Sequence, residues 1–175
     1  MGYAGGEKTN PTYQSLGDHT ETLQIDYDPA KVSYQALLEV FWNSHNPASS
    51  AWRRQYMAAV FFDSEKQREQ AEASKQAVAD KIKDEVKTKI LPLSAFYLAE
   101  DYHQKYSLRG NKTLLKAFQE IYPAPRGLVD STAAARVNGY LAGHGDCGRL
   151  RNEINALGLS DAAEKQLLGI VCGRS

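Results

Sequence analysis

The stretch Thr22-Leu23-Gln24-Ile25-Asp26-Tyr27 alternates polar and apolar side chains of β-branched and aromatic type, and Asp28-Pro29 follows it. That alternation predicts a half-buried strand ended by a turn. Ser33 then reads as a helix cap, because Leu37, Leu38, Phe41 and Trp42 recur behind it at helical spacing, and His45-Asn46-Pro47 predicts the stop. Gln55 to Phe62 reads as a buried strand. Asp63-Ser64-Glu65 opens a long polar helix reaching about Ile82, with alanines on one side. Thr88 to Phe96 reads as extended, with Pro92 marking an edge or a bulge. Leu98 to Tyr106 leads into a further helix, whose apolar stripe continues through Leu114, Leu115 and Phe118.

Pro123-Ala124-Pro125-Arg126-Gly127 is the clearest internal break. Beyond it, two helices are predicted, Ser131 to Ala142 and Gly148 to Val171, separated by Gly143-His144-Gly145-Asp146-Cys147-Gly148. No internal repeat or low-complexity segment is visible. Mixed helices and strands without a strict βαβ rhythm predict an α+β sandwich.

The opening Met1-Gly2-Tyr3-Ala4-Gly5-Gly6, with Asn10-Pro11 shortly after, has the glycine density of a loop that packs closely or approaches a ligand. Composition adds mainly exclusions. Lys plus Arg number 21 against 21 Asp plus Glu in 175 residues, which gives no basic footprint for nucleic acid. No apolar run approaches a membrane span, and no signal peptide is visible. The two cysteines, Cys147 and Cys172, fit a reducing compartment and read most simply as ordinary thiols; a redox pair is the alternative.

Three places could carry chemistry. Gly17-Asp18-His19-Thr20-Glu21 sets ionisable groups in a turn ahead of the predicted strand, where a partly desolvated carboxylate could serve as a general acid. The plainer reading is that Asp18 and Thr20 shape the turn and Glu21 is solvated. Among the tyrosines Tyr3, Tyr13, Tyr56, Tyr97, Tyr102 and Tyr106, most are expected to be packing residues. Tyr13 in a turn and Tyr56 at a strand start are better placed to face a site. Glu100-Asp101-Tyr102-His103 suits a helix start, and its spacing is not diagnostic of a metal, so no metal site is expected.

Together these segments are more specific than any one of them. Gly2-Tyr3-Ala4-Gly5-Gly6, Asn10-Pro11-Thr12-Tyr13, Gly17 to Glu21, Tyr27-Asp28-Pro29, Phe41-Trp42 with His45-Asn46-Pro47, Gln55-Tyr56, and Phe96 to Tyr106 occur in order. This series resembles peptide methionine sulfoxide reductase A, closely over about residues 2–109. Gly17 to Glu21, Arg54-Gln55-Tyr56-Met57 and the tail Ser131 to Tyr140 resemble one branch of that family.

The resemblance implies a two-layer, ferredoxin-like α+β sandwich over residues 1–122 and a helical extension, 123–175, packed on it. It implies reduction of methionine S-sulfoxide, free or in proteins, as repair after oxidative damage. In the family a cysteine thiolate attacks the sulfoxide sulfur, a glutamate protonates the departing oxygen, and two tyrosines hydrogen-bond it. A second thiol then converts the sulfenic acid to a disulfide, which thioredoxin or another external thiol reduces. Glu21 matches the proton donor, and Tyr13 and Tyr56 match the phenols. A monomer in the cytoplasm is expected, without bound cofactor, nucleic acid or membrane; organelle targeting stays open.

The chain also departs from the pattern. The family's Gly-Cys-Phe-Trp motif, which carries the nucleophile and an aromatic pair for the substrate methyl, is absent. Met1 stands directly before the tyrosine-glycine loop that this motif precedes in the family. The expectation is therefore a domain without its first strand and helix, inactive alone. A pseudoenzyme or binding module that keeps the sulfoxide-oxygen pocket is the alternative. Cys147 and Cys172 are possible redox thiols, and a third option makes one of them the replacement nucleophile, with Cys147 favoured by the predicted helix start behind it. Where many members carry an aspartate before the second tyrosine, Ala51-Trp52-Arg53-Arg54 stands here, as is typical of the branch.

Overall fold

The computed structural model describes residues 1–173, and the chain divides after Ala99 into two compact units. The helices from Tyr106 onward share one core with those that follow Tyr122.

The first unit holds two sheets. In one, β1 (Gly2–Ala4) is central and antiparallel to both β2 (Thr20–Thr22) and β5 (Phe96–Leu98), with Tyr3 opposite Glu21 on one side and Tyr97 on the other. In the other, β3 (Ala59–Phe62) runs parallel to β4 (Lys89–Pro92). A parallel pair needs a crossover, and α2 (Glu65–Ile82) supplies it. The sequence read Thr88 to Phe96 as one extended piece. The structure uses it for both sheets: Leu93 N–H still donates to Phe62 O at 2.8 Å, and the chain then leaves to pair with β1.

Local chemistry fixes the helices of this unit. Ser33 caps α1 (Tyr34–Asn43) by accepting from Ala36 N–H, and Ser64 caps α2 by accepting from Gln67 N–H. Leu38 and Trp42 of α1 bury against Ala71 of α2 and Val86, with Val60 and Ile90 of the parallel pair packed on them. Trp42 Nε1 donates to Ser74 Oγ at 2.9 Å, so its one polar atom is satisfied. The predicted strand from Thr22 to Tyr27 forms only at its start. Leu23 is 62% exposed, and residues 23–27 have no partner strand among the described residues. Alternation alone cannot make a strand without a neighbour to take its hydrogen bonds.

Glycine at position 5 is required. Its φ is +78°, and a Cβ there would lie 2.5 Å from Phe61 Cε1. Gly5→Ala is therefore expected to cost about 2 kcal/mol through backbone strain and overpacking, read as a lower midpoint of chemical denaturation.

The second unit is helical: α3 (Tyr106–Arg109), α4 (Lys112–Ile121), α5 (Pro125–Asp130), α6 (Thr132–Leu141), α7 (Cys147–Glu153) and α8 (Asp161–Cys172). Asn111, Ser131 and Asp146 cap α4, α6 and α7 with their side chains, and Pro125 opens α5 where its missing N–H costs nothing. Leu108, Leu114, Phe118, Val137, Leu150 and Leu167 are completely buried together. The single helix predicted from Gly148 to Val171 is broken. A 3₁₀ turn over Ile154–Leu157 ends at Gly158, whose left-handed φ of +69° turns the chain into α8.

The reading of Cys147 and Cys172 as ordinary thiols is overturned, because the structure joins them in a disulfide. No cysteine is free among the described residues. Cys147 is the first residue of α7, as expected, but a disulfide sulfur there is no thiolate nucleophile. Reductive opening has its own expected consequence, taken up below.

Candidate functional site

Three sequence segments are stapled together beside β1. The first staple is Asp18. Its carboxylate accepts from the N–H of Glu7, at 3.0 Å from each oxygen, and from Lys8 N–H at 3.3 Å. The second is His19, only 1% exposed, whose Nδ1 accepts from Gly6 N–H at 3.2 Å. Its Nε2 therefore carries the proton and donates to Lys8 O at 2.7 Å. Both ring nitrogens are used to hold the Gly5–Lys8 loop against the turn before β2. The third is Arg54, whose Nε donates to Asp18 O at 2.6 Å and whose Nη2 donates to Gly5 O at 2.8 Å. Thr20 Oγ1 returns a bond to Arg54 O at 3.0 Å.

These bonds set a short 3₁₀ turn, Arg54–Tyr56, against β2. Within it Gln55 Nε2 donates to Glu21 Oε1 at 2.5 Å. Glu21 is half-buried, so its carboxyl is held by a neutral partner at the margin of solvent. A side-chain amide is both donor and acceptor. Its NH₂ donates to a carboxylate, and after a flip its C=O accepts from a carboxylic acid. Tyr56 follows directly and is 47% exposed. Tyr13 lies in a tight turn closed by Ser15 N–H donating to Thr12 O at 2.9 Å, and is 37% exposed. Leu16, immediately after that turn, packs on Tyr3 beneath it.

The structure thus ties Glu21 to the Arg54–Tyr56 turn through Gln55, with Tyr56 the next residue in that turn, and leaves Tyr13 in a separate turn over Thr12–Ser15. Tyr3 is a core residue, with Tyr97 half-buried against it. Glu100, Asp101, Tyr102 and His103 belong to the helical unit, where Asp101–His103 form a 3₁₀ turn and Tyr102 packs on His103. Among the described residues no three His, Cys, Asp or Glu side chains converge as a metal site. Gln55 and Arg54 escaped the residue-level reading. They lie 34 and 36 residues from the groups they bond, and only the fold sets them opposite Glu21 and Asp18.

The N–H groups of Glu7 and Lys8 hold the Asp18 carboxyl below its ordinary value of 3.8. A depressed folded value means that the charged form supports the folded loop. That support is complete above pH 3.8 and is lost as pH falls through the lower folded value. Acid titration followed by NMR is expected to move the Glu7 and Lys8 amide signals together, below the range in which free aspartate titrates. Movement at ordinary aspartate pH would show that the two bonds do not form in solution.

The family model described as peptide methionine sulfoxide reductase matches residues 1–126. Peptide methionine sulfoxide reductase of Drosophila melanogaster is 40% identical over 162 residues, which cover 91% of this chain and 65% of that protein. Peptide methionine sulfoxide reductase A5 of Oryza sativa subsp. japonica is 38% identical over 148 residues, covering 81% of this chain and 58% of that protein. In both cases the chain spans less than two thirds of the relative's length. Among solved structures, Mxr1 from Saccharomyces cerevisiae in reduced form superposes with a TM-score of 0.58 at 28% identity, over 63% of this chain and 69% of that one. The α+β architecture is thus shared with the Mxr1 structure, and by the family match over residues 1–126 this chain belongs to the peptide methionine sulfoxide reductase family.

Proposed function

We propose that Glu21, Tyr13 and Tyr56 form the oxygen-handling side of a site for methionine S-sulfoxide, in proteins or as the free amino acid. In this reading the two phenols donate hydrogen bonds to the sulfoxide oxygen and Glu21 delivers a proton to it. An attacking thiolate gives the sulfur its electrons, takes up the oxygen as sulfenic acid and leaves a thioether. The observation that supports it best is the Gln55–Glu21 hydrogen bond, which ties the carboxyl to the turn that carries Tyr56 through a partner able to serve either protonation state. A second thiol and then thioredoxin, or another external thiol, would restore the nucleophile.

No Gly-Cys-Phe-Trp segment occurs in the chain, and both cysteines are paired, so binding without turnover is expected from the chain alone. The same disulfide favours the second reading, a binding module that retains the oxygen pocket. We take the protein to act as a monomer in the cytoplasm. No helix among the described residues is long and apolar enough to cross a membrane.

Calorimetric titration separates these ideas. The S epimer of N-acetyl-methionine sulfoxide methylamide should bind, the R epimer should bind more weakly, and Tyr56→Phe should weaken the S epimer selectively. Equal binding of both epimers would remove the oxygen site. Joining a segment with Gly-Cys-Phe-Trp ahead of the chain should yield turnover with dithiothreitol; binding with persistent inactivity would favour the module.

A further inference from the structure

Beside the proposed oxygen site stands an aromatic and cationic group that site does not use. Trp52 is 74% exposed and its ring lies 5.6 Å from that of Tyr56. The Arg53 guanidinium sits 4.4 Å above the Trp52 ring. A single exposed hydrophobe needs no explanation. Here two exposed rings and a stacked cation adjoin the turn whose Gln55 holds Glu21, which is a different matter.

The two arginines of this segment have different duties. Arg54 spends its guanidinium on Gly5 O and Asp18 O. Arg53 has no carboxylate partner among the described residues; its contact is the indole face. Its backbone is anchored all the same, since Tyr56 N–H donates to Arg53 O at 3.1 Å and Met57 N–H to Arg54 O at 3.0 Å. The platform is therefore an ordered surface of Trp, Tyr and Arg, the residue types that dominate binding hot spots, on a backbone already fixed. Cation–π stacking orients the guanidinium and leaves its outward edge to donate.

A free amino acid fills only the oxygen site. A peptide continues past it, and the exposed surface formed by Trp52 and Tyr56 is open to its chain. Resting on the proposed sulfoxide site, we infer that Trp52 and Arg53 form a specificity element that favours methionine sulfoxide inside a polypeptide with an acidic residue beside it. The Trp52 ring would cover the peptide's aliphatic and backbone surface, and Arg53 would pair with the neighbouring carboxylate.

Three probes test this by calorimetry with the chain as it exists: N-acetyl-methionine-S-sulfoxide methylamide, a capped pentapeptide with S-sulfoxide flanked by glutamates, and its lysine-flanked counterpart. The acidic peptide should bind about tenfold tighter than the methylamide, the size of one good anchor. The lysine peptide should lack that gain. Trp52→Ala and Arg53→Ala should each bring the acidic peptide to the level of the methylamide and leave methylamide binding unchanged. Trp52→Phe should keep part of the gain. The side chains are exposed, so the variants should fold, and circular dichroism checks that they do. If the methylamide binds but the acidic peptide gains nothing, or keeps its gain in Trp52→Ala, the specificity element is overturned while the oxygen site stands. If the acidic peptide binds equally with unoxidised methionine, the surface serves no sulfoxide and the inference also fails. Absence of methylamide binding overturns the site itself, and the inference with it.

Discussion

Opening the Cys147–Cys172 disulfide is expected to destabilise the helical unit by about 3 kcal/mol, among the largest effects any small change to this chain should produce. The two cysteines are 25 residues apart in sequence, and cross-linking a loop of that size removes substantial freedom from the unfolded chain. The bridge also ties the first residue of α7 to the last of α8, two ends where helices ordinarily fray. Between them the chain passes through a 3₁₀ turn and Gly158, with no continuous helix to hold them together. Urea unfolding with and without dithiothreitol reads the effect as a shift in midpoint. The double variant Cys147→Ser, Cys172→Ser should match the reduced protein and ignore the reductant. If all conditions give one midpoint, the cross-link contributes nothing and the fourteen residues of the buried cluster carry the unit unaided.

Glu21→Gln should cost about two orders of magnitude in kcat, roughly 2.7 kcal/mol of barrier, in a version supplied with Gly-Cys-Phe-Trp. The substitution is nearly isosteric, and a carboxamide can still bond Gln55, so the turn and sheet should persist. In the proposed mechanism, what disappears is the transferable proton. A change confined to kcat, with KM little altered, fits a group whose role is realised in the transition state. Glu21→Ala should add a rise in KM, because Gln55 loses its partner at a half-buried position. Unchanged kcat in Glu21→Gln would take this carboxyl out of the chemistry and leave it as an anchor for the Arg54–Tyr56 turn.

Helices with strong local signals were readable before any coordinates. The long polar helix from Glu65 to Ile82 has the bounds read from its pattern, because Ser64 caps it with its own side chain and its alanines need only one shallow face to pack. The helix behind Ser33 is similar. The break at Gly158 is hidden in the pattern, since a single glycine in an apolar helical stretch gives little local warning; its left-handed φ is what ends the turn. The strand from Thr22 to Tyr27 failed for the opposite reason. Its alternation is clear, but a strand is defined by its neighbour, and beyond Thr22 none is present among the described residues. Likewise, nothing local in Thr88 to Phe96 says that its two halves join different sheets.

By itself the sequence determined the cap at Ser33, the start of the long helix at Asp63-Ser64-Glu65 and the ordered series of segments that carries the resemblance to the family, through which Glu21, Tyr13 and Tyr56 are candidates. The first two rest on residue type and near-neighbour spacing, and the third on the order of motifs, all of which a linear chain displays directly. Tertiary structure alone decided that Gln55 bonds Glu21, that Asp18, His19 and Arg54 clamp the glycine loop, and that Cys147 meets Cys172. Apart from the Asp18 and His19 bonds to the loop, which span 10 to 13 positions, each of those pairings joins groups 25 to 49 positions apart. Only packed elements reduce such separations to a bond length, and a hydrogen bond or a disulfide depends on that distance, not on sequence order.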